Sequence, residues 1–441
     1  MLKITKFGGS STANSEQFKK IKKIIESDEG RKFVCVSASG RRFKGDNKVT
    51  DLLCLVVAHR DYHVDYSALL DDIESRYLEI KNNLGLKYPV EEKFYLLRQT
   101  IPTDSAPYII SRGEWLTAHL MAEYLGFEYL DAAEAIIFHH DGTLNLEATN
   151  EAIREVVKKY DHFVMPGFYG GTTDGHIKLL DRGGGDITGS LMASALDADL
   201  YENWTDVSGF LSADPSIVEN PRTIKKITFD EMQELSYMGA SVLHEEAIFP
   251  VREKNIPIQI KNTNEPEAEG TIIRELWEPD PTDPLVTGIA GKKDFLSVYI
   301  TKTKLANSVG FLRSVLSTFE KYGVSIEHIP TGIDSFSVVV NAKDVKDSIY
   351  SIVADIKKEL EPDKIEINEN LALISVVGRN MPSKIGTSGK LLGVVGDAKI
   401  NVRMISQSSQ ERTIVIGVEN RDFERCVQVI YDAFVNETSS E

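Results

Sequence analysis

The stretch Leu2-Lys3-Ile4-Thr5-Lys6-Phe7-Gly8-Gly9-Ser10-Ser11 changes its period across two glycines. Before them Leu2 and Ile4 alternate with polar residues, as in a strand; beyond them Phe18, Ile21, Ile24 and Ile25 recur at helical spacing. The segment therefore reads as strand, turn and helix. Two residues without Cβ let backbone amides come close to a ligand, and the helix end behind them favours an anion. Lys6 stands at the carboxyl end of the strand, where open α/β sheets place their ligands, so a phosphate is the natural guest. The P-loop pattern carries its lysine after the glycines and the dinucleotide fingerprint spaces three of them, so neither describes this stretch. Taken alone, a glycine turn beside a solvated lysine accounts for it as well.

The same device recurs downstream. Phe163–Pro166 reads as a strand, residues 167–175 as a glycine-rich turn, and His176–Leu180 as a return strand that ends in Asp181-Arg182-Gly183-Gly184-Gly185-Asp186 before another helix. Arg182 offers a planar fork for a carboxylate or phosphate, and Asp186 can anchor a lysine or a substrate group; an N-capping aspartate beside a flexible turn is the plainer account. Between the two turns, Lys32–Ser39 reads as a buried strand opening into the basic loop Gly40–Asn47, and Lys48-Val49-Thr50-Asp51 starts a helical run. The region to about Gln99 reads as helical, without chemistry of its own. Ser111-Arg112-Gly113-Glu114 begins a helix that Gly126 stops, which makes Glu114 a first-turn carboxylate complementing the helix dipole. Further on come a strand at Asp199–Trp204, then Thr205-Asp206, a helix at Phe229–Met238 and a strand at Ile256–Lys261. Strands alternating with helices predict an α/β fold with a mainly parallel sheet covered on both faces.

With 441 residues, 42% hydrophobic and 27% charged, the chain has room for two to four globular domains. No apolar run reaches membrane-spanning length and no secretory leader is apparent, so the expected location is the cytoplasm, without a membrane partner. Cys35, Cys54 and Cys426 are dispersed, with neither metal-ligand nor disulfide spacing, and no metal site is expected. A net charge of −17 disfavours nucleic acid and repels anionic substrates, so the site is expected to be a local basic island.

Residues 266–284 hold four prolines and mark a domain boundary. Beyond it lies a repeat: a shift of 76 residues carries Val298 to Ile374, Gly310 to Gly386, Phe319 to Val395 and Val340 to Ile416. Each unit reads strand, helix, strand, strand, helix, the start of a ferredoxin-like module. The first unit has a closing strand at Lys364–Ile367 and the second has none, so the strand Leu285–Ile289 is predicted to complete the second unit. The domains are thus expected at 1–280, 281–368 and 369–441.

In this combination the chain resembles aspartate kinases, members of the amino acid kinase family with paired C-terminal ACT domains. The motifs that carry the likeness are Lys6-Phe7-Gly8-Gly9-Ser10-Ser11, Val36-Ser37-Ala38-Ser39-Gly40, Val49-Thr50-Asp51, Gly113-Glu114, Arg182-Gly183-Gly184-Gly185-Asp186, Thr205-Asp206-Val207 with Asp214-Pro215, and Val242-Leu243-His244. The resemblance implies ATP-dependent phosphorylation of the L-aspartate side-chain carboxylate, with Mg²⁺ accompanying the nucleotide. It implies catalytic roles for Lys6 and Asp186 and aspartate contacts from Ser37, Ala38, Thr50, Glu114, Arg182, Gly183 and Gly184. Nucleotide contacts would come from Lys6, Gly8, Gly9, Ser10, Thr205, Asp206, Leu211 and Ser241. Ser241 stands where the family has lysine, and Lys225, Lys226 or Lys261 are the available substitutes; Leu211 stands where it often has Tyr. Gly185 replaces a common serine. The ACT pair implies feedback by lysine, threonine or both, with Leu305, Ser308, Asp334 and Ser335 in the effector region, and assembly as a homo-oligomer through the ACT domains. Two other readings stay open: a kinase of another acidic amino acid, and a non-catalytic amino-acid sensor.

Overall fold

The computed structural model describes residues 1–181, 183–240, 243, 247–278 and 280–436. They form two compact units. The first comprises Met1–Phe210, Thr223–Phe229 and Val242–Trp277; the second comprises Leu211–Arg222, Asp230–Ser241 and Glu278–Glu441. The boundary expected near residue 280 is therefore not a single cut, because two earlier segments are built into the second unit. Their side chains give the reason. Ala213 and Val218 join the core that holds Ile374, Leu391 and Ile416. Glu231, buried, accepts hydrogen bonds from the Thr287 hydroxyl (2.6 Å) and the Arg379 amide (2.8 Å).

The first unit holds the strands β1 (Lys3–Phe7), β2 (Phe33–Val36), β3 (Glu128–Tyr129), β4 (Ile137–Phe138), β5 (Phe163–Pro166), β6 (Tyr169–Thr172), β7 (Ile177–Leu179), β8 (Leu200–Thr205), β9 (Lys226–Thr228), β10 (Ile258–Asn262) and β11 (Thr271–Arg274). Eight of them form one sheet in the order β3-β5-β2-β1-β8-β10-β11-β9, in which every pairing is parallel except that of β10 with β11. The central strands are buried on both faces, which is why Phe-Val-Cys-Val at residues 33–36 is continuously apolar. Asn14 caps the helix Ser15–Glu26 by accepting from the Gln17 amide at 3.1 Å, and Phe18, Ile21, Ile24 and Ile25 turn inward. The stretch without recognisable chemistry folds as three helices, Val49–Asp61, Ser67–Leu84 and Val90–Thr100, sharing a core with the helix Ala106–Leu125.

That last helix starts earlier than residue 111. Ser105 caps it, accepting from the Tyr108 amide at 3.3 Å, and Pro107 sits in its first turn, where a missing N–H costs nothing. Glu114 consequently lies in the helix interior, buried, and not in a first turn.

In the second unit β12 (Gly288–Thr301), β13 (Ser335–Asn341), β14 (Lys364–Val377), β15 (Met404–Gln407) and β16 (Thr413–Glu419) form an antiparallel sheet in the order β13-β12-β14-β16-β15. Both β12 and β14 run through the two repeats: Val298 pairs with Ile367 and Gly288 with Val377, with irregular register between Lys292 and Ser297. Of the strand placed at 285–289 by the sequence, only Gly288 and Ile289 are strand; they begin the long β12, alongside the first strand of the second repeat. Two separate cores flank the sheet, one around Val298, Phe319 and Ile352 and one around Ile374, Val395 and Ile430. The middle strand of the first repeat is reduced to two isolated bridges, His328 to Val339 and Thr331 to Phe336. Among the described residues no helix is long and apolar enough to cross a membrane.

Candidate functional site

Parallel pairing brings the ends of β2, β1 and β8 to one edge of the sheet, with Phe7 opposite both Val36 and Trp204. The loops that follow are stitched together by their backbones. The Gly8 amide donates to the Trp204 carbonyl (2.9 Å), the Ser37 amide to Phe7 (3.1 Å) and the Gly40 amide to Gly9 (2.8 Å). Contact is so close that a Cβ on Gly40 would stand 2.4 Å from the Gly9 carbonyl carbon. Gly40→Ala is therefore expected to push the phosphate-type turn off its position. Activity should fall about tenfold or more while the melting midpoint drops only a few degrees, as overpacking costs about 1–3 kcal/mol; assays paired with thermal melts check it.

These loops enclose a cleft of about 950 Å³. Lys6, at the end of β1, lines it and forms an ion pair with Asp186 (Nζ to Oδ1, 2.5 Å). Asp186 sits in the first turn of the helix Gly184–Ala195, whose preceding residue Gly183 has φ 79°, a left-handed conformation that glycine adopts without strain. Gly185 leaves no vacancy where a serine would stand: a Cβ there would meet the Ser37 hydroxyl at 2.9 Å, so Ser37 already fills that space.

Glu114 reaches the same cleft from the helix Ala106–Leu125. Gly113 lets its helix press against the loop after β2, since a Cβ at 113 would lie 2.8 Å from the Ala38 methyl. Tyr77 and Thr117 donate hydroxyls to the Gly113 carbonyl at 2.7 and 3.0 Å and fix that turn. Glu114 Oε2 is buried and has no hydrogen-bond partner among the described residues. Burial pushes the Glu114 carboxyl up to about 7, opposed by the amides of Ala38 and Glu114, the Thr50 hydroxyl and the Arg112 charge. A buried carboxyl with an idle oxygen facing a cleft is a receptor for a cation.

Of the residues singled out by sequence, Gly8, Gly9, Ser10, Ser37, Ala38 and Thr50 line this cleft with Lys6 and Glu114; Gly183, Gly184, Asp186, Thr205 and Asp206 line it as well. Leu211 does not. It belongs to the Leu211–Arg222 segment of the second unit, drawn there by the apolar Ala213 and Val218. Arg182 and Ser241 lie outside the described residues. None of the substitute lysines lines the cleft: Lys225 pairs with Glu269 at 2.9 Å, Lys226 stands over Trp277 and Lys261 over Trp204.

Three other cations do line it. Arg41, Lys44 and Lys48 line the cleft from the loop after β2. Their signal was visible as the basic run Arg41-Arg42-Phe43-Lys44, but not which side chains would face inward. The fourth cation, Arg42, is turned to structure: it pairs with Asp46 at 2.9 Å, and Asp46 pairs with the buried Arg76 at 3.0 Å. The Arg42 hydrogen bond, the Arg42 amide and the Arg76 charge hold the Asp46 carboxyl well below the usual carboxylate range. The basic island is thus narrower than net charge alone implied. The described lining also carries Asp51, Glu114, Asp186 and Asp206, with Lys6 neutralised by Asp186.

In the second unit the Leu305 amide donates to Asp334 Oδ1 at 3.3 Å, so these two expected effector residues meet. Ser308 closes the turn after Leu305, donating its amide to the Leu305 carbonyl (2.9 Å), and Ser335 opens β13.

Residues 1–262 match the model of the amino acid kinase family, and residues 374–434 that of the ACT domain. The chain is 37% identical over 451 residues to aspartokinase 3 of Bacillus subtilis strain 168, covering 98% of both proteins. The crystal structure of Clostridium acetobutylicum aspartate kinase superposes with a TM-score of 0.90 at 45% identity, covering 98% of this chain and 99% of that one. That of E. coli aspartokinase III in complex with aspartate and ADP shares the fold, with a TM-score of 0.75 at 23% identity over 98% of this chain and 99% of that one.

Proposed function

Because this chain belongs to the amino acid kinase family and is an aspartate kinase, we propose that the cleft moves the γ-phosphoryl group of ATP onto the side-chain carboxylate of L-aspartate by the following division of labour. An aspartate carboxylate oxygen attacks the γ-phosphorus, the bond from that phosphorus to the β–γ bridging oxygen breaks, and 4-phospho-L-aspartate and ADP result. No base is required, since the nucleophile is ionised at neutral pH. The barrier lies in bringing two anions together, so positioning and counter-charge supply the acceleration.

Lys6 and the Gly9 amide meet the phosphoryl oxygens, the Gly8 amide being held by the Trp204 carbonyl, and Asp186 holds Lys6. Thr205 and Asp206 border the nucleotide. Ser37, Ala38, Thr50, Gly183 and Gly184 flank the amino acid, with Glu114 on its α-ammonium and Arg182 on a substrate carboxylate. The observation that carries this reading is Glu114 Oε2, without a hydrogen-bond partner among the described residues, in the same cleft as the Lys6–Asp186 pair. Mg²⁺ enters with ATP as part of the substrate. Asp186 Oδ2, which accepts no hydrogen bond from a described residue, and Asp206 are hard oxygen donors that suit it.

Arg41, Lys44 and Lys48 supply the counter-charge for the phosphates. The double variant Lys44→Ala, Lys48→Ala is expected to lower kcat/KM about tenfold at low ionic strength, with the deficit shrinking as salt screens the wild-type loop. Equal salt dependence of the two proteins would exclude this role for the loop. The ACT pair binds lysine, threonine or both near the Leu305–Asp334 edge, across a homo-oligomer, and that binding favours a state with the cleft loops misplaced. The deciding experiment traps the acyl phosphate with hydroxylamine, comparing aspartate with glutamate, with and without lysine and threonine.

A further inference from the structure

Resting on the roles given to Lys6 and Asp186, we infer that Asn203 is a positioning residue for phosphoryl transfer, which clamps the Asp186 carboxylate so that Lys6 keeps one place at the cleft wall. Lys6 and Asn203 are direct neighbours in the β1–β8 register, so both project from the same face of the sheet. Both end on the same atom: Asp186 Oδ1 receives Lys6 Nζ at 2.5 Å and Asn203 Nδ2 at 2.8 Å. A carboxylate only accepts, so the asparagine must turn its amide nitrogen toward it.

The same strand holds the backbone of residue 186 as well. Tyr201, two residues earlier on that face, donates its hydroxyl to the Asp186 carbonyl at 3.1 Å. Gly189 makes this approach possible, since a Cβ there would come within 2.7 Å of the Tyr201 ring. Side chain and main chain of Asp186 are thus both tied to β8. Asn203 is only 3% exposed. Asparagine is disfavoured in strands, and its burial costs free energy unless its amide is bonded, so an apolar residue would serve the sheet at least as well. What the amide adds is a fixed carboxylate. Without it Lys6, a flexible side chain, would be held by a partner equally free to turn, and loose placement of a charged group is costly in a reaction driven by positioning.

The test measures aspartate-dependent ADP formation by wild type, Asn203→Leu, Asp186→Ala and the double variant, with a thermal melt of each. Asn203→Leu is expected to lose about tenfold in kcat, the scale of one hydrogen bond to a charged group, with the aspartate KM within about twofold. In the Asp186→Ala background the same change is expected to cost less than about twofold, because the group it acts through is gone. An equal loss in both backgrounds, or none in either, would overturn the inference. Should Asn203→Leu melt early, Asn203→Val, which also removes the amide without adding a charge and suits a strand, takes its place in the cycle with the same criteria. Failure of the underlying reading is visible separately, as an Asp186→Ala enzyme that turns over like wild type.

Discussion

Lys6→Ala is expected to lower kcat about a thousandfold, the scale of losing one preorganised charge from a transition state built on electrostatics. Lys6 is the cation that the fold places at the junction of β1, the Gly8-Gly9 turn and the helix bearing Asp186. Its removal acts twice. The phosphoryl oxygens lose their nearest side-chain counter-charge, and Asp186, only 9% exposed, is left with an amide donor in place of an ammonium. Aspartate KM should change far less than kcat, since Glu114, the residue given to the substrate ammonium, is untouched. Lys6→Arg keeps the charge but not the point geometry, and should recover only a small part of the rate. Turnover by Lys6→Ala above about a tenth of wild type would remove Lys6 from the chemistry.

Glu114→Gln should do two things that rarely go together: stabilise the free protein and impair substrate binding. The carboxyl is 4% exposed and titrates at about 7, against 4.5 for the ordinary group, because burial opposes its charge. Below pH 4.5 it is protonated in both folded and unfolded chains, so it contributes no pH dependence there. Between 4.5 and about 7 the folded protein keeps a proton that the unfolded chain has released, so stability falls as pH rises through this window. Above it the native state bears the full penalty of a buried carboxylate, about 3 kcal/mol for a shift of this size. At pH 8 the amide variant should therefore melt several degrees higher than wild type, and near pH 4 the two should converge. Binding runs the other way. Wild-type KM for aspartate should rise as pH falls through 7, where Glu114 loses the charge that meets the substrate ammonium. In Glu114→Gln it should be high, by about tenfold or more, and flat with pH. Melts and initial rates across pH 6–8 check both halves; a variant with unchanged KM would free Glu114 from substrate recognition.

Periodicity made much of this legible. The change of period at Gly8, the second strand, turn and helix at residues 181–186, and the 76-residue repeat each depend on local spacing, and local spacing determines which residues can share a face. A chain with these segments forms a parallel sheet whose glycine turns share one edge, followed by two related modules, so the composition of the cleft followed largely from strand order.

Tertiary structure decided what depends on distance between segments. It moved Glu114 from a supposed first turn to a buried position with an idle oxygen, because Ser105 and Pro107 start the helix earlier. It drew Leu211 into the second unit through the apolar pull of Ala213 and Val218, and turned Arg42 onto Asp46 while leaving Arg41, Lys44 and Lys48 facing the cleft. It set Asn203 beside Lys6 on one carboxylate oxygen, a pairing between residues 197 positions apart. Spacing along a chain governs which side chains lie on one face; only packing governs which faces meet, and desolvation and charge act at those meetings.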